Sequence, residues 1–144
     1  MQVFIIGDVL ETFNTLDKKR LRKQLIENRQ ILKVYNGDSD AWKNHPVVKS
    51  YRPYQKWLVV YTWALEEFLN EKSDLLMLMH YNKWLRDNKP IFHTKDYFTQ
   101  MKRRLYTKNN KFYEQFSDLG ESDINWYYVD GKWLFYKNGK KINK

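Results

Sequence analysis

Apolar residues recur with helical spacing over most of the chain, then give way to a dense aromatic, β-rich pattern near the end. The chain opens with Val3, Phe4, Ile5, Ile6, Val9 and Leu10, a run that suits either a short strand or a buried lead-in segment. From Leu16 to Gly37 a helix is predicted. Leu21, Leu25, Leu32 and Tyr35 keep its period, with Ile31 adjoining. Thr15 and Asp17 are the residues suited to cap its start, and Gly37 suits its end.

A polar connection leads to a short helical turn and a long helix over 47–72. Pro53 stands near the start of the long helix, where a missing N–H costs little. Leu58, Tyr61, Leu65, Phe68 and Leu69 form its apolar face. Ser73 or Asp74 caps a third helix over 75–88, which ends before Pro90. A fourth follows His93, with Tyr97, Met101 and Leu105 at i, i+4, i+8, and residues 111–116 add a further turn. In the last segment Asp130-Gly131 and Asn138-Gly139 sit beside β-rich runs, the pattern of tight hairpin turns. The expected fold is mainly α: a single-domain helical bundle over 1–144, with a short C-terminal β-hairpin or extended aromatic tail.

Charge narrows the class of partner. The 144 residues carry 26 Lys and Arg against 17 Asp and Glu, a net charge of +9. Such a field draws polyanions, nucleic acid ahead of an anionic membrane surface. The positive charge is clustered. Lys18, Lys19, Arg20, Arg22, Lys23, Arg29 and Lys33 lie on the first long helix; Lys102, Arg103, Arg104, Lys108 and Lys111 between Asp96 and Glu114; Lys132, Lys137, Lys140, Lys141 and Lys144 in the tail. Brought to one face, these segments make a phosphate-binding surface. Dispersed, they are ordinary solvated faces.

With no Cys, disulfides and thiolate metal sites are excluded. His45, His80 and His93 are scattered, so no metal site is expected. No run is long and apolar enough to span a bilayer, and no leader pattern opens the chain, so a cytoplasmic protein is expected. His45 reads as a turn residue beside Pro46, and His80 as a core or edge histidine on an apolar helix.

Three stretches carry a resemblance: "LDKKRLRKQLIENRQIL" at 16–32, "WKNHP" at 42–46, and His93 followed by Asp96. Together they resemble a bacterial and phage family distantly related to the pyrimidine-dimer DNA glycosylases of the endonuclease V type. Trp126, Tyr127, Gly131 and Lys132 are similar to that type's W-Y-x-x-x-G-K ending.

The resemblance implies a helical domain acting on double-stranded DNA without cofactor or metal. It implies that the N-terminal α-amine, here that of Met1, attacks a sugar C1′ to form an imine. Base release follows, and then abasic-site lyase chemistry. A helix carboxylate assists; the family's position for it reads Gln24 here, which cannot exchange protons, and Glu27 lies nearly one turn on. His93 is implied at phosphate or sugar. Arg20, Arg22, Lys23, Arg103, Arg104 and Lys132 are the implied phosphate contacts, and Trp126 and Tyr127 the stacking or wedging residues. Trp133 and Phe135 are expected to pack on the helices instead. The other class of function is a catalytically inactive DNA-binding or host-interaction protein on the same scaffold; Gln24 and a retained Met1 favour it, and the ordered motifs favour the enzyme.

Overall fold

The computed structural model describes residues 1–71 and 74–142. Ser73 and Lys144 lie outside the described residues. Within them the helices are α1 (Val9–Thr15), α2 (Lys18–Tyr35), α3 (Pro46–Tyr51), α4 (Gln55–Leu69), α5 (Leu75–Asp87) and α6 (Lys95–Lys108). Single 3-10 segments follow α3 (Arg52–Tyr54) and α6 (Glu114–Leu119). Three strands close the fold: β1 (Ile124–Val129), β2 (Lys132–Lys137) and β3 (Lys140–Ile142). The protein is mainly α with a small antiparallel sheet of order β1-β2-β3.

Local chemistry sets the helix boundaries. Asp17 caps α2 by accepting from the Arg20 N–H, Asp74 caps α5 through the Met77 N–H, and Thr94 caps α6 through the Tyr97 N–H. Thr15 caps nothing; its hydroxyl donates to the Glu11 carbonyl inside α1. Helix α1 itself is absent from the sequence expectation. Its seven residues are too few to show a period beside the apolar run that precedes them, and Asp8 supplies its cap.

Residues 1–6 form the buried lead-in segment and not a strand. Val3, Phe4, Ile5 and Ile6 are all at most 3% exposed. Burying four such side chains contributes about 1.5–3 kcal/mol each. Their backbone still needs partners, because an orphaned buried amide is costly. Side chains provide four of them. The Tyr127 hydroxyl donates to the Met1 carbonyl at 2.6 Å, and the Tyr97 hydroxyl to the Val3 carbonyl at 2.6 Å. The Phe4 N–H donates to Gln24 Oε1 at 3.0 Å, and the Ile6 N–H to Thr12 Oγ1 at 3.2 Å. The Gln2 side chain makes a paired bond to Trp126, donating to its carbonyl at 2.9 Å and accepting from its N–H at 3.0 Å.

The tail is a sheet, not a loose aromatic arm. Asp130-Gly131 and Asn138-Gly139 all have positive φ, 52° and 77° then 51° and 77°, the geometry that turns adjacent antiparallel strands. Register pairs Trp126 with Phe135 and Tyr128 with Trp133 on one face. Trp133 stacks on Tyr97 of α6 with ring centres 6.0 Å apart. Helix α6 also binds the first residue of β1 and the chain leading into it. Gln100 Nε2 donates to the Ile124 carbonyl at 2.7 Å, and Arg103 to the Glu121 carbonyl at 2.9 Å.

Tyr97→Phe tests the threading directly. It keeps the ring stack and deletes the donor to the Val3 carbonyl. We expect a loss of about 1–3 kcal/mol in urea unfolding, the cost of a buried acceptor left unpaired. An unchanged midpoint would mean the segment is held by packing alone.

Candidate active site

The threaded segment delivers the Met1 α-amine to a small cleft between α2, α6 and β1. Its walls are Met1, Gln2, Phe4, Arg20, Lys23, Glu27, Arg104, Lys108 and Asn125, around about 50 Å³. Arg20, Lys23 and Glu27 come from successive turns of α2, at i, i+3 and i+7, so they share one face. Arg104 and Lys108 stand one turn apart at the end of α6. Asn125 holds Arg104 in place, accepting from its Nε at 2.8 Å. A wider hollow of about 270 Å³ adjoins, sharing Arg20, Lys23 and Lys108 and adding Lys19 and Asp17. Asp17 is already engaged, since it caps α2 and accepts from the Tyr113 hydroxyl.

Four cations and the amine therefore face one carboxylate. Among the described residues, none of Arg20, Lys23, Arg104 and Lys108 forms a salt bridge. Loss of hydration lowers the Met1 amine below its ordinary 8.0; Glu27 acts to raise it, and Lys108, Lys23 and Arg104 lower it further. Glu27 is raised above its ordinary 4.5 by burial, against the pull of the Met1 amine, Lys23, Arg20 and Lys108. Lys108 is lowered to about 8, first by desolvation and then by Arg104, Arg20 and Lys23. An amine so lowered is more often neutral near pH 7, and a carboxyl so raised more readily exchanges a proton.

The expected site residues divide. Met1, Arg20, Lys23, Glu27 and Arg104 meet at the cleft. Gln24 does not line it. It is 2% exposed, accepts from the Phe4 N–H and donates to Asn28 Oδ1 at 2.9 Å, so it anchors the threaded segment. His93 is also interior. It is 2% exposed, lies 2.7 Å from the Tyr51 hydroxyl, and is lowered to about 3 by burial and by the Lys89 charge. A sugar or phosphate contact for His93 does not fit this placement.

Tyr127 is 3% exposed and its hydroxyl is spent on the Met1 carbonyl, so it anchors the first residue by its backbone and offers no stacking face. Trp126 is partly buried, with its ring against Trp133 and Phe135. The division that set Trp126 apart from Trp133 and Phe135 therefore fails, because all three share one sheet face. Arg103 is bound to the Glu121 carbonyl, away from the cleft walls. Arg22 is exposed on α2 outside the cleft. Lys132 is exposed beside the hairpin turn, seven residues beyond Asn125 in sequence and across from Val129.

Other cleft residues were not singled out from the sequence. Lys108 stood in a noted basic run, and its i+4 spacing from Arg104 was the available signal. Asn125 and Phe4 gave none, since only tertiary packing brings them there. His45 caps α3 through the Val47 N–H, as a turn residue would. Its ring also meets Tyr127 edge-on at 5.6 Å, and it is lowered to about 4 by desolvation and then by the Met1 amine. His80 is exposed on α5, beside an apolar hollow between α4 and α5. No helix among the described residues is long and apolar enough to cross a membrane, and no group of three or more His, Asp or Glu among them is arranged to hold a metal.

The electrostatic account makes a signed prediction. With Met1 selectively labelled with ¹⁵N, the α-amine should titrate with a midpoint below 8.0. Glu27→Gln should move that midpoint lower still, because the carboxylate is what opposes the fall. A midpoint at or above 8.0, or an upward move in the variant, would contradict the cleft as described.

A family model described as pyrimidine dimer DNA glycosylase matches residues 1–72. No curated protein and no solved structure matches the chain. The matched half contains Met1, Arg20, Lys23 and Glu27, while Arg104, Lys108 and Asn125 come from beyond it. That match covers half of the 144 residues, and the chain belongs to the pyrimidine dimer DNA glycosylase family.

Proposed function

We propose that this protein is a DNA glycosylase that excises pyrimidine dimers from duplex DNA and then cleaves the abasic strand. The observation that carries this is the meeting of the Met1 α-amine and Glu27 in a cleft otherwise walled by cations. The neutral amine attacks C1′ of the damaged nucleotide, the bond to the base breaks, and the sugar is held as an imine. Glu27 donates a proton to the opening sugar ring and then accepts one from C2′, so that the bond to the 3′ phosphate breaks. Arg20, Lys23 and Arg104 bind the phosphates beside the sugar as the duplex bends and a base leaves the stack.

Gln24 does not count against catalysis on this reading. Its amide serves the Phe4 N–H, and a carboxylate there would be buried away from the cleft. Gln2 is likewise accounted for by its paired bond to Trp126, which sets where the residue before it lies.

The test uses a duplex with one cyclobutane pyrimidine dimer, with strand cleavage followed before and after alkali. The native protein should cut at the dimer, faster as pH rises through the amine's titration. Glu27→Gln should lower the rate by about 10²–10⁴-fold, the usual share of a general acid–base group. Its DNA affinity should persist and should fall with salt, by a log–log slope of about −0.9 per phosphate contacted. Salt-sensitive binding with no cleavage by native protein would favour the inactive binding protein, and a fully active Glu27→Gln would remove the carboxylate from the mechanism.

A further inference from the structure

We propose that Lys108 carries a second nucleophilic amine of this cleft, able to take an abasic sugar as an imine in place of the Met1 amine. This rests on the reading of the cleft as a site of amine chemistry. Lys108 is the last residue of α6, one turn beyond Arg104, and both side chains line the cleft with Met1 and Glu27. Its Nζ lies 6.0 Å from the centre of the Phe4 ring, and the Arg20 guanidinium carbon lies 5.3 Å from the same centre. Phe4 is 3% exposed, and its N–H is bound to Gln24, so this ring is a fixed surface that both cations meet.

A lysine that serves only to bind phosphate does best fully charged, and the C-terminal end of a helix favours that charge. Here the surroundings act the other way. Lost hydration and then Arg104, Arg20 and Lys23 lower Lys108 to about 8, against the opposing effect of Glu27. About a tenth of the amine is then neutral at pH 7, far more than for an ordinary lysine. The arginines beside it cannot release a proton at all. The Phe4 ring favours the charged form, so it does not select Lys108 as the nucleophile. Of the two lysines that line the cleft, Lys108 acts the more strongly on the Met1 amine, which places it nearer that amine than Lys23.

The step balances without a further reagent. Neutral Nζ adds to C1′ of the ring-opened abasic aldehyde, whose oxygen becomes the hydroxyl of a carbinolamine. That hydroxyl leaves as water with a proton from Glu27, the one carboxylate lining the cleft, and gives the Nζ=C1′ imine. The Glu27 carboxylate, having given up its proton, takes one from C2′, the C3′–O bond breaks with its electron pair leaving on the 3′ phosphate, and water hydrolyses the imine to return the lysine.

The experiment is borohydride trapping on a duplex with a single abasic site, comparing the native chain with one acetylated at the Met1 α-amine. Tryptic mass spectrometry locates the reduced adduct. We expect the acetylated protein still to trap DNA, with the adduct on Lys108. Lys108→Arg in that acetylated background, which keeps the charge, should lose at least tenfold of the trapped product. An acetylated protein that traps nothing, while the native one traps on Met1, would overturn the second amine and leave the proposed function standing. An adduct on Lys23 would overturn it as well. No adduct from the native protein would overturn both. The location of the adduct in the unsubstituted acetylated chain does not depend on how well any variant folds.

Discussion

A buried N-terminal segment that is neither helix nor strand must find partners for its backbone elsewhere, and in this protein side chains from four elements supply four of them. Gln24 and Thr12 take the N–H groups of Phe4 and Ile6; Tyr97 and Tyr127 give their hydroxyls to the carbonyls of Val3 and Met1. Four partners from α1, α2, α6 and β1 thus converge on six residues. Those four bonds fix where the chain terminus lies. The same bonds that complete the core aim the amine outward, into the cleft, so stability and the position of the reactive group have one cause.

The cleft itself works against stability. Arg20, Lys23, Arg104 and Lys108 repel one another, and Glu27 alone among the cleft walls opposes them. Local rules of protein design are broken at functional sites and compensated elsewhere. Here the compensation is the aromatic packing of Tyr97, Trp133, Tyr128 and Phe92 at the N-terminal end of α6, two turns and more from Arg104 and Lys108. A phosphate backbone entering the cleft would supply the missing negative charge. Desolvation sets the proton chemistry: it is the first cause that lowers both amines, with neighbouring cations adding to it, and it raises Glu27 against the pull of those same cations.

Much of this was legible in the sequence because it is periodic. The helices with clear spacing formed where expected, and both Gly-containing dipeptides made their turns. What was illegible depended on tertiary contacts. Gln24 looks like a failed catalytic position until Phe4 is seen to need its oxygen. Tyr127 looks like a stacking platform until the Met1 carbonyl claims its hydroxyl. His93 matches a motif yet folds inward against Tyr51. Lys108 was one lysine in a run, and only the approach of α6 to α2 singles it out. The α5 run "LLMLM" misleads in the other direction: Leu75, Leu76, Met77 and Met79 are exposed, and Leu85 is the residue of that helix that reaches the core.

The central claim is that threading brings the Met1 amine to the reacting carbon, with Glu27 beside it. The most direct measurement is a crystal structure of this protein on a duplex carrying a stable abasic-site analogue. The account predicts the Met1 nitrogen about 3–3.5 Å from the sugar C1′, the distance of a reactant poised to attack, with the Glu27 carboxyl next to the ring oxygen. A sugar bound elsewhere, with the Met1 nitrogen still enclosed by Arg20, Lys23 and Arg104, would contradict it.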